Sequence, residues 1–324
     1  MATRVVVTDQ VFGSLEIERG LLAPLDAELV EAPAKDEATL VGAVAGADAL
    51  LVCYASVTPA VIEAAAAGGC RVIARYGIGV DNIDLEAATA AGIVVTNVPD
   101  YCLDEVADHG MALLLGVARG LVEGALAVRE GRWELPGAGI HRIRGRTLAL
   151  VGVGRIGRRL ADRALAFGLD VVAFDPFASD LGTPGIRRAA TLEEAVAEAD
   201  FVSLHAPMTE ENHHMVGDRL IGAMRRGPVI VNTARGGLVD LDAVLAALDD
   251  GRLSAVALDV TEVEPLPEAH PLRRHPRAVI TPHMAFHSEE AQQELQRRAA
   301  EEVVRALAGE PPRCPVNAVD RQRA

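Results

Sequence analysis

Along the first hundred residues, short β-branched runs alternate with alanine-rich helical runs: RVVVT, DALLV, TPAVIEAAAAG, RVIAR, DLEAATAAG and IVVTN. Glycine or proline stands at the breaks, and this punctuation predicts an open, mostly parallel sheet with helices on its faces. From Asp104 to about Gly120 the period becomes helical and leads to a polar, glycine-containing stretch around Trp133, where the chain is expected to cross to a second domain. A second βα series runs through RTLALVGVGRIG, DVVAFDP, DFVSLHAP, PVIVNTARGG, SAVALDV and AVITPH. Its strands are apolar throughout, as both faces of a covered parallel sheet require. A last helical pattern, from about Ser288 to Ala308, precedes PPRCPVNAV, a tail expected to pack back on the first domain.

At 324 residues the chain is long enough for two domains, each with its own core, and 50% hydrophobic content supports that. A net charge of -15 sets up a field that repels polyanions, so neither nucleic acid nor an anionic membrane is an expected partner. An anionic substrate must then be captured by local cations. Lys35 is the only lysine and sits in the polar stretch PAKDEAT, which leaves P-loop and Schiff-base lysine chemistry without a good candidate. Cys53, Cys70, Cys102 and Cys314 form no C-x-x-C pair and read as isolated reduced thiols. MATRVVVTD reads as a strand rather than a signal peptide, and no apolar run approaches the roughly 20 residues of a membrane span. A cytoplasmic location is expected.

The loop Gly152, Val153, Gly154, Arg155, Ile156, Gly157 follows the strand TLALV and opens a helical run. Its glycines permit a tight turn and close approach of backbone to a pyrophosphate, while the helix N-terminus offers N–H groups to the anion. The next strand, VVAF, ends in Asp175, where a carboxylate accepts from ribose hydroxyls and repels a 2′-phosphate. NAD is the cofactor this pattern favours over NADP.

Three further residues stand at the ends of later strands: Arg235 in NTARGGLVD, Glu264 in DVTEVEPLP and His283 in ITPHMAFHS. A guanidinium presents a rigid, permanently charged fork that can anchor a carboxylate and polarise a carbonyl. An imidazole titrates near neutrality and can move a proton, and a carboxylate on its far nitrogen orients it. Asp259, ending SAVALDV, shares this edge and could hold a nicotinamide carboxamide. The carboxyl edge of a parallel sheet is where ligands bind in such folds.

These segments, with RYGIGVDNIDLEAAT and LHAPMTEENHHMV, resemble the D-isomer-specific 2-hydroxyacid dehydrogenase family over nearly the whole chain. The resemblance implies two Rossmann-like α/β domains: a doubly wound parallel-sheet NAD domain over residues 103–288, and a flavodoxin-like substrate domain over residues 1–102 plus 289–324. It places the family's catalytic arginine, glutamate and histidine on Arg235, Glu264 and His283, and its nicotinamide-contacting aspartate on Asp259. Gly77, Ile78 and Gly79 fall on the substrate-carboxylate loop, and His205 and Thr233 complete the cofactor set. It further implies a homodimer, and hydride transfer between NAD(H) and a small 2-hydroxy or 2-oxo acid in a cleft that excludes water on closing.

CYASVTPAVI, NVPDYCLDEVADH and IHRIRGRTLALVG look most like bacterial relatives of the C-terminal-binding proteins. That likeness raises an alternative, an NAD(H)-sensing corepressor-like protein with incidental turnover. Phosphoglycerate dehydrogenases of the family usually carry arginine in the loop at residues 51–56, where this chain has none. Phe286 stands where many C-terminal-binding proteins have tryptophan.

Other signals have plainer readings. His283 and His287 are four apart but lack the H-E-x-x-H pattern and a third ligand, so no metal is expected there. His213 and His214 read as a solvated loop. Arg155 could reach the pyrophosphate, while Arg158 and Arg159 read as a solvated face.

Overall fold

The computed structural model describes residues 3–32, 36–135 and 140–319; Lys35 lies outside them. The chain forms two compact units, Met1–Tyr101 with Ser288–Ala324, and Cys102–His287. The stretch around Trp133 lies inside the second unit. The chain changes unit before the helix Leu103–Ala118, beside the 103–288 boundary and not at the stretch around Trp133.

In the first unit five parallel strands, β1 (Thr3–Val7), β2 (Ala27–Glu31), β3 (Ala49–Val52), β4 (Val72–Arg75) and β5 (Val94–Thr96), take the order β2-β1-β3-β4-β5. This is the flavodoxin-like order. The central strand β3 is buried at every position, whereas β2 buries only Leu29. An edge strand with one neighbour needs little apolar patterning, which is why AELVE carries no clear strand signal. The C-terminal helix Glu289–Leu307 is capped by Ser288, whose hydroxyl accepts from Ala291 N–H at 2.9 Å. The tail then reaches β5, where Val316 N–H donates to Val95 carbonyl at 2.9 Å.

The second unit holds seven parallel strands: β6 (Thr147–Val151), β7 (Asp170–Phe174), β8 (Ile186–Arg188), β9 (Phe201–Leu204), β10 (Val229–Asn232), β11 (Ala255–Leu258) and β12 (Ala278–Ile280). Their order is β12-β11-β10-β9-β6-β7-β8. Successive residues feed opposite faces. Ala149 and Val151 enter one core cluster, Leu148 and Leu150 another, and both faces are covered. The order reverses at β6, between β7 on one side and β9 on the other, and opens a crevice at the carboxyl ends of the strands. The edge strand β8, largely exposed, is the second strand without a sequence signal.

Candidate active site

The loop after β6 is shaped by what a side chain would strike. Gly152 has φ of 93°, in the region that favours glycine, and a Cβ there would stand 2.7 Å from the backbone of His205. A Cβ on Gly157 would overlap the carbonyl oxygen of Gly152, so the helix Arg155–Ala166 packs directly on the turn. Gly154 instead faces open space, with nothing within 4 Å of a Cβ. The helix begins there with no side-chain cap, so its first N–H groups can meet an anion. Arg155 is exposed at this N-terminus, and Ile156 packs on the core. Arg158 and Arg159 are not the expected solvated face. Arg158 donates to the carbonyls of Val153 (3.1 Å) and Asp180 (2.8 Å), and Arg159 pairs with Asp104 at 3.2 Å.

Asp175 lies at the end of β7 and accepts from three backbone N–H groups: Val153 at 2.8 Å, Phe177 at 2.9 Å and Ala178 at 3.1 Å. Partial burial works to raise its pKa, but these bonds and the nearby Arg188 outweigh it and hold the carboxyl below the usual range. It is ionised at neutral pH and fixed beside the glycine turn.

Two more groups on this edge fit a dinucleotide. Thr233 Oγ1 is buried with no hydrogen-bond partner among the described residues, an orphaned hydroxyl at the end of β10 that a ligand could satisfy. His205 lies against Gly157, its Nε2 2.9 Å from Ser203 Oγ, and burial pushes its pKa down to about 4. Its imidazole is neutral at working pH. These residues would hold a nicotinamide cofactor, which would supply or accept the hydride.

The chain after β10 turns around Asn232, whose Oδ1 accepts from Ala234 N–H (2.9 Å) and whose Nδ2 donates to Arg235 carbonyl (2.8 Å). Arg235 Nη1 donates to Ala234 carbonyl at 2.7 Å. Gly236 follows, and a Cβ there would overlap the backbone of Thr261 and Glu262. That close approach sets the Arg235 segment against the segment that leads to Glu264.

Glu264 is held through Oε1, which accepts from Thr261 N–H at 3.0 Å, and its Oε2 lies 2.7 Å from His283 Nδ1. An ionised carboxylate only accepts, so Nδ1 carries the proton and Nε2 is the nitrogen that can exchange one with a substrate. His283 adopts φ of 50°, an uncommon conformation for a non-glycine residue. Asp259 holds that turn. Its carbonyl accepts from His283 N–H (2.8 Å), Oδ1 from Met284 N–H (3.0 Å) and Oδ2 from Ala285 N–H (2.8 Å).

Asp259 is 2% exposed. Burial alone would raise its pKa, yet its hydrogen-bond donors hold it below the usual range. Thr281 Oγ1 donates to Asp259 Oδ1 at 2.5 Å and is itself 3.1 Å from His109 Nε2, which in turn lies 3.4 Å from that carboxylate. The order His109, Thr281, Asp259 was not read from the sequence. A histidine on the helix Leu103–Ala118, otherwise apolar on its buried face, was the available signal.

The remaining expected residues fall elsewhere. Gly77, Ile78 and Gly79 follow β4 in the first unit. Gly77 has φ of 146°, its N–H donates to Arg75 carbonyl at 3.0 Å, and the Ile78 carbonyl accepts from Asn97 Nδ2 at 2.6 Å. His213 and His214 are not simply solvated, since each reaches Glu262, at 2.7 Å and 2.9 Å. All four cysteines are free thiols, and burial pushes Cys53 and Cys70 up to about 12. Neither is a thiolate at neutral pH.

A parallel sheet with this glycine turn and an oriented imidazole on the same edge defines a nicotinamide-dependent oxidoreductase. The comparisons narrow the class. A family model described as "D-isomer specific 2-hydroxyacid dehydrogenase, NAD binding domain" matches residues 111–285, more than half of the chain. The glyoxylate reductase of Korarchaeum cryptofilum is 39% identical over 256 residues, covering 76% of this chain and 76% of that protein. The D-3-phosphoglycerate dehydrogenase of Methanocaldococcus jannaschii is 38% identical over 242 residues, 74% of this chain but 46% of that longer protein. Among solved structures, the TT0316 protein of Thermus thermophilus superposes with a TM-score of 0.88 at 39% identity, over 97% of this chain and 100% of that one. This chain belongs to the D-isomer-specific 2-hydroxyacid dehydrogenase family, and it is an NAD-dependent enzyme acting on a CH–OH group.

Proposed function

We propose that the chain interconverts a small, unphosphorylated 2-oxo acid and its 2-hydroxy acid, with Arg235 clamping the carboxylate, His283 exchanging the proton and Glu264 orienting it. The observation that carries this reading is the 2.7 Å contact between His283 Nδ1 and Glu264 Oε2 on a turn clamped by Asp259. In reduction, hydride adds to the carbonyl carbon, the developing alkoxide takes the proton from His283 Nε2, and the guanidinium stabilises the charge as it forms. In oxidation the same nitrogen accepts the proton. Asp259 serves first to hold the His283 turn, and we assign the nicotinamide carboxamide to it as well. Gly77, Ile78 and Gly79 are proposed to receive the substrate carboxylate.

The loop at residues 51–56 supports a substrate without a phosphate. Backbone N–H groups of Cys53 (3.0 Å), Tyr54 (2.6 Å) and Ala55 (3.2 Å) all donate to the Asp9 carboxylate, so an internal anion occupies the donors a phosphate would need. A relative named glyoxylate reductase supports the same size class. The finer likeness to bacterial relatives of the C-terminal-binding proteins rests on the three segments that carry it, and no observation favours a corepressor role.

A panel of glyoxylate, pyruvate, hydroxypyruvate, 2-oxoisocaproate and phenylpyruvate with NADH tests the reading. At least one acid should reach kcat/KM of about 10⁴ M⁻¹s⁻¹ or more. Feeble turnover of all five beside tight NADH binding would sink it. Asp175→Ala should raise the Kd of NADH more than that of NADPH, because the lost carboxylate favours one and repels the other. Fluorescence titration reads this directly, and equal weakening would remove Asp175 from the ribose site.

We also propose a homodimer formed through the second unit. Leu121, Leu126 and Val128 on the helix Leu121–Arg129 are exposed, as are Trp133 at 91% and Leu135 at 93%, a concentration of apolar surface suited to a second copy. No single helix among the described residues is long and apolar enough to cross a membrane. The double substitution Trp133→Arg, Leu135→Glu should halve the mass measured by sedimentation. An unchanged mass places the contact elsewhere.

A further inference from the structure

His213, His214 and Glu262 form a cluster outside the catalytic machinery. Adjacent side chains in an extended segment point to opposite sides. Here His214 has φ of 53°, and the two imidazoles stack with centroids 3.9 Å apart. Their Nε2 atoms face separate oxygens of one carboxylate, at 2.7 Å and 2.9 Å. The three donor atoms all lie within 4.8 Å of one another.

We infer that these residues form a surface site for a divalent transition-metal ion of the zinc class, held by His213 Nε2, His214 Nε2 and the Glu262 carboxylate. Two imidazoles and a carboxylate are a borderline donor set, which favours zinc, nickel, cobalt or copper over magnesium or calcium. Zinc bound to nitrogen and oxygen at about 2.0–2.2 Å separates such donors by about 3.2–3.4 Å. The existing contacts need to open by only about half an ångström to admit it. A bound ion would take the Nε2 lone pair of each imidazole, leaving the ring proton on Nδ1. Water fills the other coordination positions, since all three side chains are partly exposed.

The surroundings support a preorganised site. His214 N–H donates to Gly237 carbonyl at 2.8 Å, and Val216 N–H to Leu238 carbonyl at 3.0 Å, pinning the histidine segment to the short 3-10 turn Gly236–Leu238. Gly236 packs on the backbone of Thr261 and Glu262. The ion would thus staple the histidine segment to the segment that continues to Glu264, without occupying the position of His283.

The test is calorimetric titration of ZnCl₂ into the untagged, chelator-stripped full chain, beside Glu262→Gln and the double variant His213→Gln, His214→Gln. The wild type should bind one Zn²⁺ per chain, each variant should bind it at least tenfold more weakly, and MgCl₂ should give no comparable binding. The substituted side chains are all partly exposed, and a far-ultraviolet spectrum matching the wild type confirms their fold. Absence of Zn²⁺ binding by the wild type, or unchanged affinity in both variants, overturns the proposal. Because the readout is binding, a failure of the assigned catalytic roles leaves this test intact.

Discussion

Replacing His283 by asparagine is expected to lower kcat by about 10²–10⁴-fold, the usual contribution of a positioned acid or base. The substitution is chosen for the backbone. His283 sits at φ of 50°, a region asparagine tolerates better than most residues, so the turn clamped by Asp259 survives. Of the residues proposed to hold the cofactor, Asp259 meets His283 through its backbone N–H, a bond asparagine keeps, so NADH affinity should stay within a few-fold of wild type. Steady-state rates with the best acid of the panel, beside a fluorescence titration of NADH, separate the two effects. An unchanged rate would remove His283 as proton donor; lost NADH binding would show that the turn also shapes the cofactor site.

Arg235→Lys should lower kcat/KM by about 10²–10³-fold, the range seen when one preorganised donor to a developing oxyanion is removed. The charge is conserved in this variant, so the loss measures geometry. An ammonium cannot give two parallel donors to a carboxylate while a third polarises the carbonyl. The segment itself should persist, because Asn232 organises it through the backbone of Ala234 and Arg235 rather than through the side chain. Both KM for the acid and kcat should move, with NADH affinity near wild type. A kcat/KM within threefold of wild type would show that Arg235 contributes charge alone.

Much of this architecture is legible in one chain because parallel sheets write a plain signal. β3, β9, β10 and β11 are buried at every position, so their sequences are mostly apolar, with only Ser203 and Asn232 polar among them. The edge strands β2 and β8 face water on more than one side and leave no such run. The turn at Gly152 is legible for a related reason, since a backbone conformation with positive φ leaves glycine as its mark. Arginines look alike in sequence whether solvated or bonded, and only the fold shows Arg158 tied to Val153 and Asp180.

Residue types and their order along the chain thus determined the fold class, marked the glycine turn at Gly152 and singled out Arg235, Glu264 and His283 as candidates. Tertiary structure decided what those side chains meet. Asp259 emerges as the clamp of the His283 turn, supported by Thr281 and His109 from a helix more than a hundred residues earlier. It also joined His213 and His214 to Glu262, 49 and 48 residues away. The physical reason is the same in each case. Local periodicity records burial and backbone conformation, which act over a few residues, whereas hydrogen bonds between segments depend on how strands are ordered in the sheet.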